Sequence, residues 1–303
     1  MNRNFAIDDY DSLFAARTTA DDWAHIKAFR DRPQFPAAAA AYLEISAPFF
    51  ANNFILNKVV PEAWRFQMIV FLLHLHDTRD PDNPRSGLTL SNFQRVCAQL
   101  DLASKGRAFA FLNLMRVGGY VMRMQSPQDN RVVHLEPTPL FLATVTQWND
   151  GIFRMIDIAA PETSLIDQQR AYPHLGREMR RNSTERILSG WQPLGPFPEV
   201  FHFAATDGGW MLIAYLVCEA TRNGDIAPIS IDLAKFGRQY GGSRSQLRRL
   251  LEGAYRDGLL ETPPASGAHI ILTPRLVCAF LTWLASYLAG YQRSALAALE
   301  TAD

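Results

Sequence analysis

Cysteine is scarce in this 303-residue chain: Cys97, Cys218 and Cys278 are the only three, and they lie far apart. An odd, widely spaced set supplies neither a disulfide framework nor a zinc ribbon, which predicts a reducing, cytoplasmic compartment. Net charge is missing as well, since thirty basic residues balance thirty acidic ones. That balance excludes a polycationic nucleic-acid coat but not a locally basic reading surface, because binding follows the local field. Long apolar runs are few. The one membrane-like stretch, Leu276 to Gln292, places seventeen uncharged residues between Arg275 and Arg293. With Thr282, Ser286, Gly290 and Gln292 inside it, the stretch predicts a buried helix rather than a membrane span. The opening MNRNFAIDDYD has no apolar run, so no secretory leader is expected. A glycine-rich phosphate loop, a Gly-x-Ser-x-Gly elbow and a paired-carboxylate constellation are all lacking, so neither an enzyme nor a cofactor is predicted.

What is present is enough apolar sequence, 48%, to build real cores over a length of about two domains. The chain also repeats itself. HLEPTPLFLATVTQW, ending at Trp148, aligns with HIILTPRLVCAFLTW, ending at Trp283, matching His134 with His269, Thr138 with Thr273 and Pro139 with Pro274 at one spacing of 135 residues. Upstream, KGRAFAFLNLMRVGGY aligns with RSQLRRLLEGAYRDGL at a spacing of 139. Two apolar helices match in the same order, AWRFQMIVFLLHLH from Ala63 and GWMLIAYLVCEATR from Gly209.

Each copy predicts the same series. An apolar helix leads to a short helix capped by Ser91 or Asp232, then a tight turn and a longer helix. A hairpin follows, VMRM-QSPQDN-RVVHL or LLE-TPPASG-AHIIL, and a final helix opens at each Thr-Pro. That order is winged helix-turn-helix. The predicted fold is mainly α with small β-hairpin wings, two tandem units forming a pseudo-dimer. Boundaries are placed at 1–36 for an N-terminal extension without clear period, 37–160 for the first unit and 161–303 for the second, with its C-terminal helix. The AAAAAYLEIS run from Ala37 opens the first unit, with Pro48 as a kink point. A linker is placed near Ala159 to Ser164, and REMRRNSTERIL predicts a basic amphipathic helix before the breaker QPLGPFP.

The segment DNRVVHLEPT, Asp129 to Thr138, resembles the wing of the MarR family of bacterial regulators, which shows an Asp-x-Arg, a strand and then a Leu-Thr helix start. The spacing of the copies is similar to one whole subunit of that family. The resemblance implies a DNA-binding transcriptional regulator, with a small-molecule effector pocket where the leading helices meet the winged units. Aromatic residues cluster at such a junction: Phe49, Phe50, Phe54, Trp64 and Phe66, then Phe197, Phe201, Phe203 and Trp210. Ordinary core packing accounts for them equally. The second hairpin departs from the pattern, with no Asp-x-Arg and no basic residue, and predicts a poor grip on phosphate.

The two recognition helices differ. In the second copy Leu247, Leu250, Leu251 and Ala254 form the core stripe; Ala108, Phe111, Leu112 and Met115 hold the same places in the first. The opposite face of the second offers Arg248 and Arg249, able to donate to guanine or phosphate, with Ser243, Arg244 and Ser245 at the helix start. Lys235 and Arg238 on the preceding helix add charge. In the first copy Lys105 and Arg107 are candidate backbone contacts, and Arg131 a wing contact to a minor groove, although local pairing with Asp129 accounts for Arg131 as well. Its Phe109, Ala110 and Val117 predict an apolar partner surface instead. The expected partners are therefore double-stranded DNA, a protein at the first unit and a small-molecule effector. Residues 1–36 and the last helix, Thr273 to Ala298, are candidate contacts of a homodimer on a palindromic site.

Other chemistry is set aside. His74 and His76 in HLHD are two apart, on different sides of a helix, and predict no metal site. His134 and His269 fit a repeated packing role. Cys97, close to Arg95, is the one candidate redox thiol, against a buried hydrophobe. Two other functions fit tandem winged helices: a protein-interaction adaptor without DNA readout, as in the kleisin-binding subunits of bacterial condensins, and a plasmid-type replication initiator. Initiators tend to be markedly basic, and this chain is neutral.

Overall fold

The computed structural model describes residues 7–51, 63–264 and 269–301, with backbone alone at 63 and 64. Phe54, the Trp64 side chain and the tip of the second hairpin, 265–268, lie outside the described residues. The described part is mainly helical with one small two-stranded antiparallel sheet.

A 3-10 turn, Ile7–Tyr10, leads into α1 (Asp11–Ala15), α2 (Ala20–Arg30) and α3 (Phe35–Phe50), the last with Pro48 inside it. The first repeat then runs α4 (Ala63–Asp77), α5 (Leu90–Gln99), α6 (Lys105–Val117), β1 (Val121–Gln125), β2 (Val133–Pro137) and α7 (Pro139–Ala159). Two helices, α8 (Leu165–Ala171) and α9 (Leu175–Leu188), cross to the second. There α10 (Pro198–Ala204) precedes α11 (Gly209–Thr221), α12 (Leu233–Tyr240), α13 (Arg244–Arg256) and α14 (Pro274–Glu300).

The repeat extends to individual hydrogen bonds. Ser104 and Ser243 cap α6 and α13, each accepting from the backbone N–H three residues on. Gly119 and Gly258 both close those helices at positive φ, +75° and +69°, a conformation that favours glycine. The Thr138 hydroxyl donates to the Gly119 carbonyl at 2.6 Å, and Thr273 donates to Gly258 at 3.4 Å. Thr138 and Thr273 then cap α7 and α14, with proline at the first helical position. One cap differs from expectation. Thr89, not Ser91, caps α5, because Thr89 is still extended and bridges to His134 of β2.

The hairpins diverge. In the first, β1 and β2 pair from Val121↔Pro137 to Gln125↔Val133, and the Thr89 bridge makes β2 the inner strand. In the second, pairing among the described residues reduces to two single bridges, Leu260↔Leu272 and Ile229↔Ile270, so the expected pair of strands is not formed there. Ile229 precedes α12 as Thr89 precedes α5, and the same strand-before-helix contact occurs in both copies.

Two cores result. The smaller holds Met68, Leu72, Phe93, Phe111, Met115 and Phe141 of the first repeat. The larger gathers the second repeat around α14 and also takes in α3, Phe153 and Ile156 from the far end of α7, and the N-terminal residues Phe14, Ile26 and Phe29. The extension of 1–36 is thus largely helical from Ile7 onward and packs Phe14, Ile26, Phe29 and Phe35 into this core. Helix α14 is buried on every side from Thr282 to Gly290, chiefly against α2 and α9 of its own chain. Beyond Gly290 the helix exposes Arg293, Leu296, Ala297 and Glu300.

Charge fastens the N-terminal segment to this core. Arg30 is buried and binds Asp8 and Asp11 at 3.0 and 2.6 Å, and it reaches Thr282 of α14. The buried Glu199 carboxylate joins Arg17 at 3.0 Å to Arg275 at 2.7 Å, linking α1, α10 and α14. Burial alone would raise the Glu199 pKa. Its own backbone N–H, Arg275 and Arg17 outweigh that and hold the carboxyl below its ordinary value. A lowered folded pKa adds stability above the unfolded value of about 4.3, and that stability is lost as pH falls through the folded one. The melting temperature is expected to fall between about pH 5 and pH 3, and Glu199→Gln to start lower and fall less over that interval. Parallel pH profiles for the two proteins would show that Glu199 contributes nothing.

Candidate nucleic-acid interface

Helix α13 is positioned by its first residues and by two glycines. Asp232 caps α12, accepting from Ala234 and Lys235 at 2.9 and 3.1 Å. Gly241 and Gly242 turn the chain at φ of +93° and +81°. A Cβ on Gly242 would stand 2.7 Å from the Asp207 carbonyl, so the turn is pressed against the loop before α11. Ser243 then opens α13 with a reciprocal cap: its hydroxyl accepts from Gln246 N–H, and the Gln246 side chain accepts from Ser243 N–H at 2.9 Å. Farther along, His202 of α10 meets the Leu250 carbonyl at 3.1 Å and Asp257 at 3.1 Å. Gly253 admits that ring, since a Cβ there would stand 2.9 Å from it.

With Leu247, Leu250, Leu251 and Ala254 buried, the opposite face is set in solvent. Arg244, Ser245, Arg248, Arg249 and Arg256 are exposed on it, and Lys235 and Arg238 are exposed on α12. Arg248 Nε pairs with Glu252 at 2.9 Å, while Arg249 and Arg256 donate Nε–H to helix carbonyls at 3.3 and 3.4 Å. Each bond uses Nε, which leaves the terminal guanidinium nitrogens for a ligand. Arg248, Arg249, Arg256, Glu252 and Tyr255 line an open hollow of about 630 Å³ closed on one side by Pro263 and Pro264. Tyr255 is absent from the expected site, although its place seven residues after Arg248 puts it on the same helical face. The two glycines and both caps bring Lys235, Arg238, Ser243, Arg244, Ser245, Arg248 and Arg249 onto one pair of successive helices. Ser243, however, spends its hydroxyl on the cap and on Ser245, 3.0 Å away.

The first repeat presents a different face. Lys105, Arg107, Arg116, Arg123 and Arg131 are all exposed, so the unit is not poor in cations. Among them stand Phe109, 50% exposed, Ala110, and Val117, 79% exposed. Met122 and Met124 of β1 and Leu140 and Leu142 of α7 are exposed too, a set that sequence patterning misses. Being outermost, β1 shows both of its faces to solvent beyond Val121. At the hairpin tip Asp129 accepts from the backbone N–H of Arg131 at 2.9 Å, shaping the turn. Lys105, Arg107 and Arg131 lie in this repeat, apart from the α12–α13 cluster.

The remaining candidates are structural. His76 pairs with Glu136 at 3.0 Å, while burial lowers the pKa of His74. Among the described residues no group of three or more His, Cys, Asp or Glu side chains could hold a metal ion. Burial pushes the Cys97 and Cys218 thiols up to about 11 and Cys278 to about 12, which suppresses the thiolate at neutral pH. His134 is buried in β2 beside Thr89. Among the described residues no helix is long and apolar enough to cross a membrane. The chain matches no family model, no curated protein and no solved structure.

The cap distinguishes two nearby serines, Ser243 and Ser245. Ser243→Ala is expected to cost about 0.5–2 kcal/mol in denaturant unfolding, and Ser245→Ala less than about 0.5 kcal/mol. Equal effects would contradict the assignment of Ser243 as the residue that fixes α13.

Proposed function

We propose that the chain is a sequence-specific regulator of transcription that binds double-stranded DNA through two tandem, MarR-like winged helix-turn-helix units forming a pseudo-dimer. In this reading α13 enters the major groove, and α12 and the second hairpin flank it. Arg248 and Arg249 contact base edges or phosphates, Arg244 and Ser245 meet phosphate at the helix start, and Lys235 and Arg238 add backbone contacts. Ser243 acts by holding the helix end in place. Lys105 and Arg107 supply further backbone contacts from the first unit, and Arg131 of its hairpin enters a minor groove.

One observation carries the reading. The second helix of a tightly turned pair buries its whole apolar stripe and turns Arg244, Arg248, Arg249 and Arg256 outward with Glu252 as the one acid. A protein whose total charge is zero concentrates cations there.

A second reading has its own observation. The exposed Phe109, Val117, Met122, Met124, Leu140 and Leu142 of the first repeat suit a protein partner better than a phosphate backbone. In that reading the chain is an adaptor, or a regulator whose first unit holds a partner while the second holds DNA.

Selection from a random duplex pool, repeated across salt concentrations, separates the two. A regulator enriches a motif, and log K falls linearly with log salt. Arg248→Ala combined with Arg249→Ala flattens that slope by about 1 for each phosphate that the arginines had neutralised. Absence of enrichment, or a double variant with unchanged affinity and slope, overturns the DNA reading in favour of the adaptor.

A further inference from the structure

Caps and helices correspond between the repeats, but the outer edges of the two hairpins do not. At a spacing of 139 residues Val121 matches Leu260, and each starts its hairpin with an equivalent pairing, Val121↔Pro137 and Leu260↔Leu272. Met124 and Gln125 then stand where the second repeat has Pro263 and Pro264. Proline has no N–H to offer and closes a strand edge to further pairing. Strand β1 has no proline, no bulge in its register and a single charge, Arg123.

The direction of its backbone groups follows from that register. Thr138 N–H donates to the Tyr120 carbonyl at 2.9 Å and Ser126 N–H to the Val132 carbonyl at 3.0 Å, so by alternation Met122 and Met124 bond to β2. Val121, Arg123 and Gln125 turn their N–H and C=O groups to the outer edge, where no backbone group among the described residues meets them. Beyond Val121 the whole strand is exposed. Met122 and Met124, 44% and 46% exposed, point to one face, and Arg123 points to the other.

Charge selects what such an edge accepts. From Leu102 to Gln128 the chain carries Lys105, Arg107, Arg116 and Arg123 and no acid. Among the described residues none of these four cations is ion-paired. The one acid of β2, Glu136 opposite Met122, is already held by His76 and Arg79 at 3.0 Å each. Two copies of β1 pairing antiparallel about Arg123 would set like charges opposite each other, which disfavours a second copy of this chain. A DNA phosphate would answer Arg123 but neither the edge carbonyls nor the two methionines.

We propose that β1 takes an added strand from a partner protein, an extended segment in which acidic and apolar residues alternate. Its backbone pairs with Arg123 and Gln125, a carboxylate lies against the Arg123 guanidinium, and apolar side chains cover Met122 and Met124. Resting on the reading in which the first repeat holds a partner, the assignment gives that partner a conformation and a charge.

Two nine-residue peptides test it on the intact chain, one alternating valine with glutamate and the other valine with lysine. Fluorescence anisotropy reads affinity, and amide hydrogen exchange at Arg123 and Gln125 reads the site. The glutamate peptide is expected to bind at least about threefold tighter than the lysine peptide and to slow exchange at both amides as it saturates. Gln125→Pro, which removes an edge donor and none that β2 uses, weakens it by about fivefold, the worth of one hydrogen bond. Arg123→Glu reverses the order of the two peptides. Equal affinities for the native chain would overturn the acidic class. Saturable binding that leaves both amides exchanging freely and perturbs Phe109 or Val117 instead would overturn strand addition while keeping a partner on the first repeat. No saturable binding of the glutamate peptide would overturn the proposal, leaving the partner reading to the duplex selection, and protection of the two amides by selected duplex DNA alone would assign the edge to DNA. These comparisons on the native chain decide the matter even where a variant fails to fold.

Discussion

Burial of α14 is the constraint on which the rest of the architecture depends. A helix buried on every side from Thr282 to Gly290 must be enclosed completely by other elements. The chain encloses it with helices drawn from its whole length. Helix α2 covers one side and α9 another, Gly290 lets Arg186 and Trp191 approach closely, and Trp210 packs edge-on to Trp283 at 4.6 Å. The N-terminal segment is held on this surface by Arg30 and Glu199, whose charges stay buried only because each has opposite charge within bonding distance. The first repeat keeps a small core of its own and is tied to the larger one through α7, by Trp148 on Tyr287, and through α4, by Asp77 on Arg180.

Within that frame the two repeats keep the same scaffold and present different faces. Their caps, closing glycines and threonine-to-carbonyl bonds correspond pair by pair, since these set backbone direction and tolerate little change. Solvent-facing positions are free of that demand. At spacing 139 Arg249 stands where Ala110 stands, and Arg248 where Phe109 does. Different residues at matched solvent-facing positions thus give one scaffold two surfaces of different chemistry.

Much of this was legible from local pattern. The 3.6-residue stripes of α6 and α13, the Thr-Pro helix starts and the Asp232 cap follow from short-range physics and need no tertiary knowledge. The arginine face of α13 was legible for the same reason. What escaped depends on distant partners. Residues 1–36 show no clear period, and their place on the core is fixed only where Asp8 and Asp11 close on Arg30. Thr89 yields to Ser91 as a cap unless its bridge to His134 is known. Met122 and Met124 are exposed because β1 is the outer strand, an order set by that same bridge. The Arg180–Asp77 pair forms only where α9 meets α4, so no run of neighbouring residues announces it.

The central claim of the proposed reading is that α13 of the second repeat, rather than α6 of the first, reads the bases, with α6 reaching only the backbone through Lys105 and Arg107. Photocrosslinking from equivalent positions tests it most directly. Ser245 is exposed at the start of α13, and Gly106 occupies the matching place on α6 with nothing within 4 Å of an added Cβ. A photoreactive side chain at each can therefore be introduced without disturbing the core, and each protein irradiated with a selected duplex. The account predicts efficient crosslinks from position 245 within the selected motif and weaker ones, outside it, from position 106. Crosslinks from 106 alone, or from neither, would contradict it.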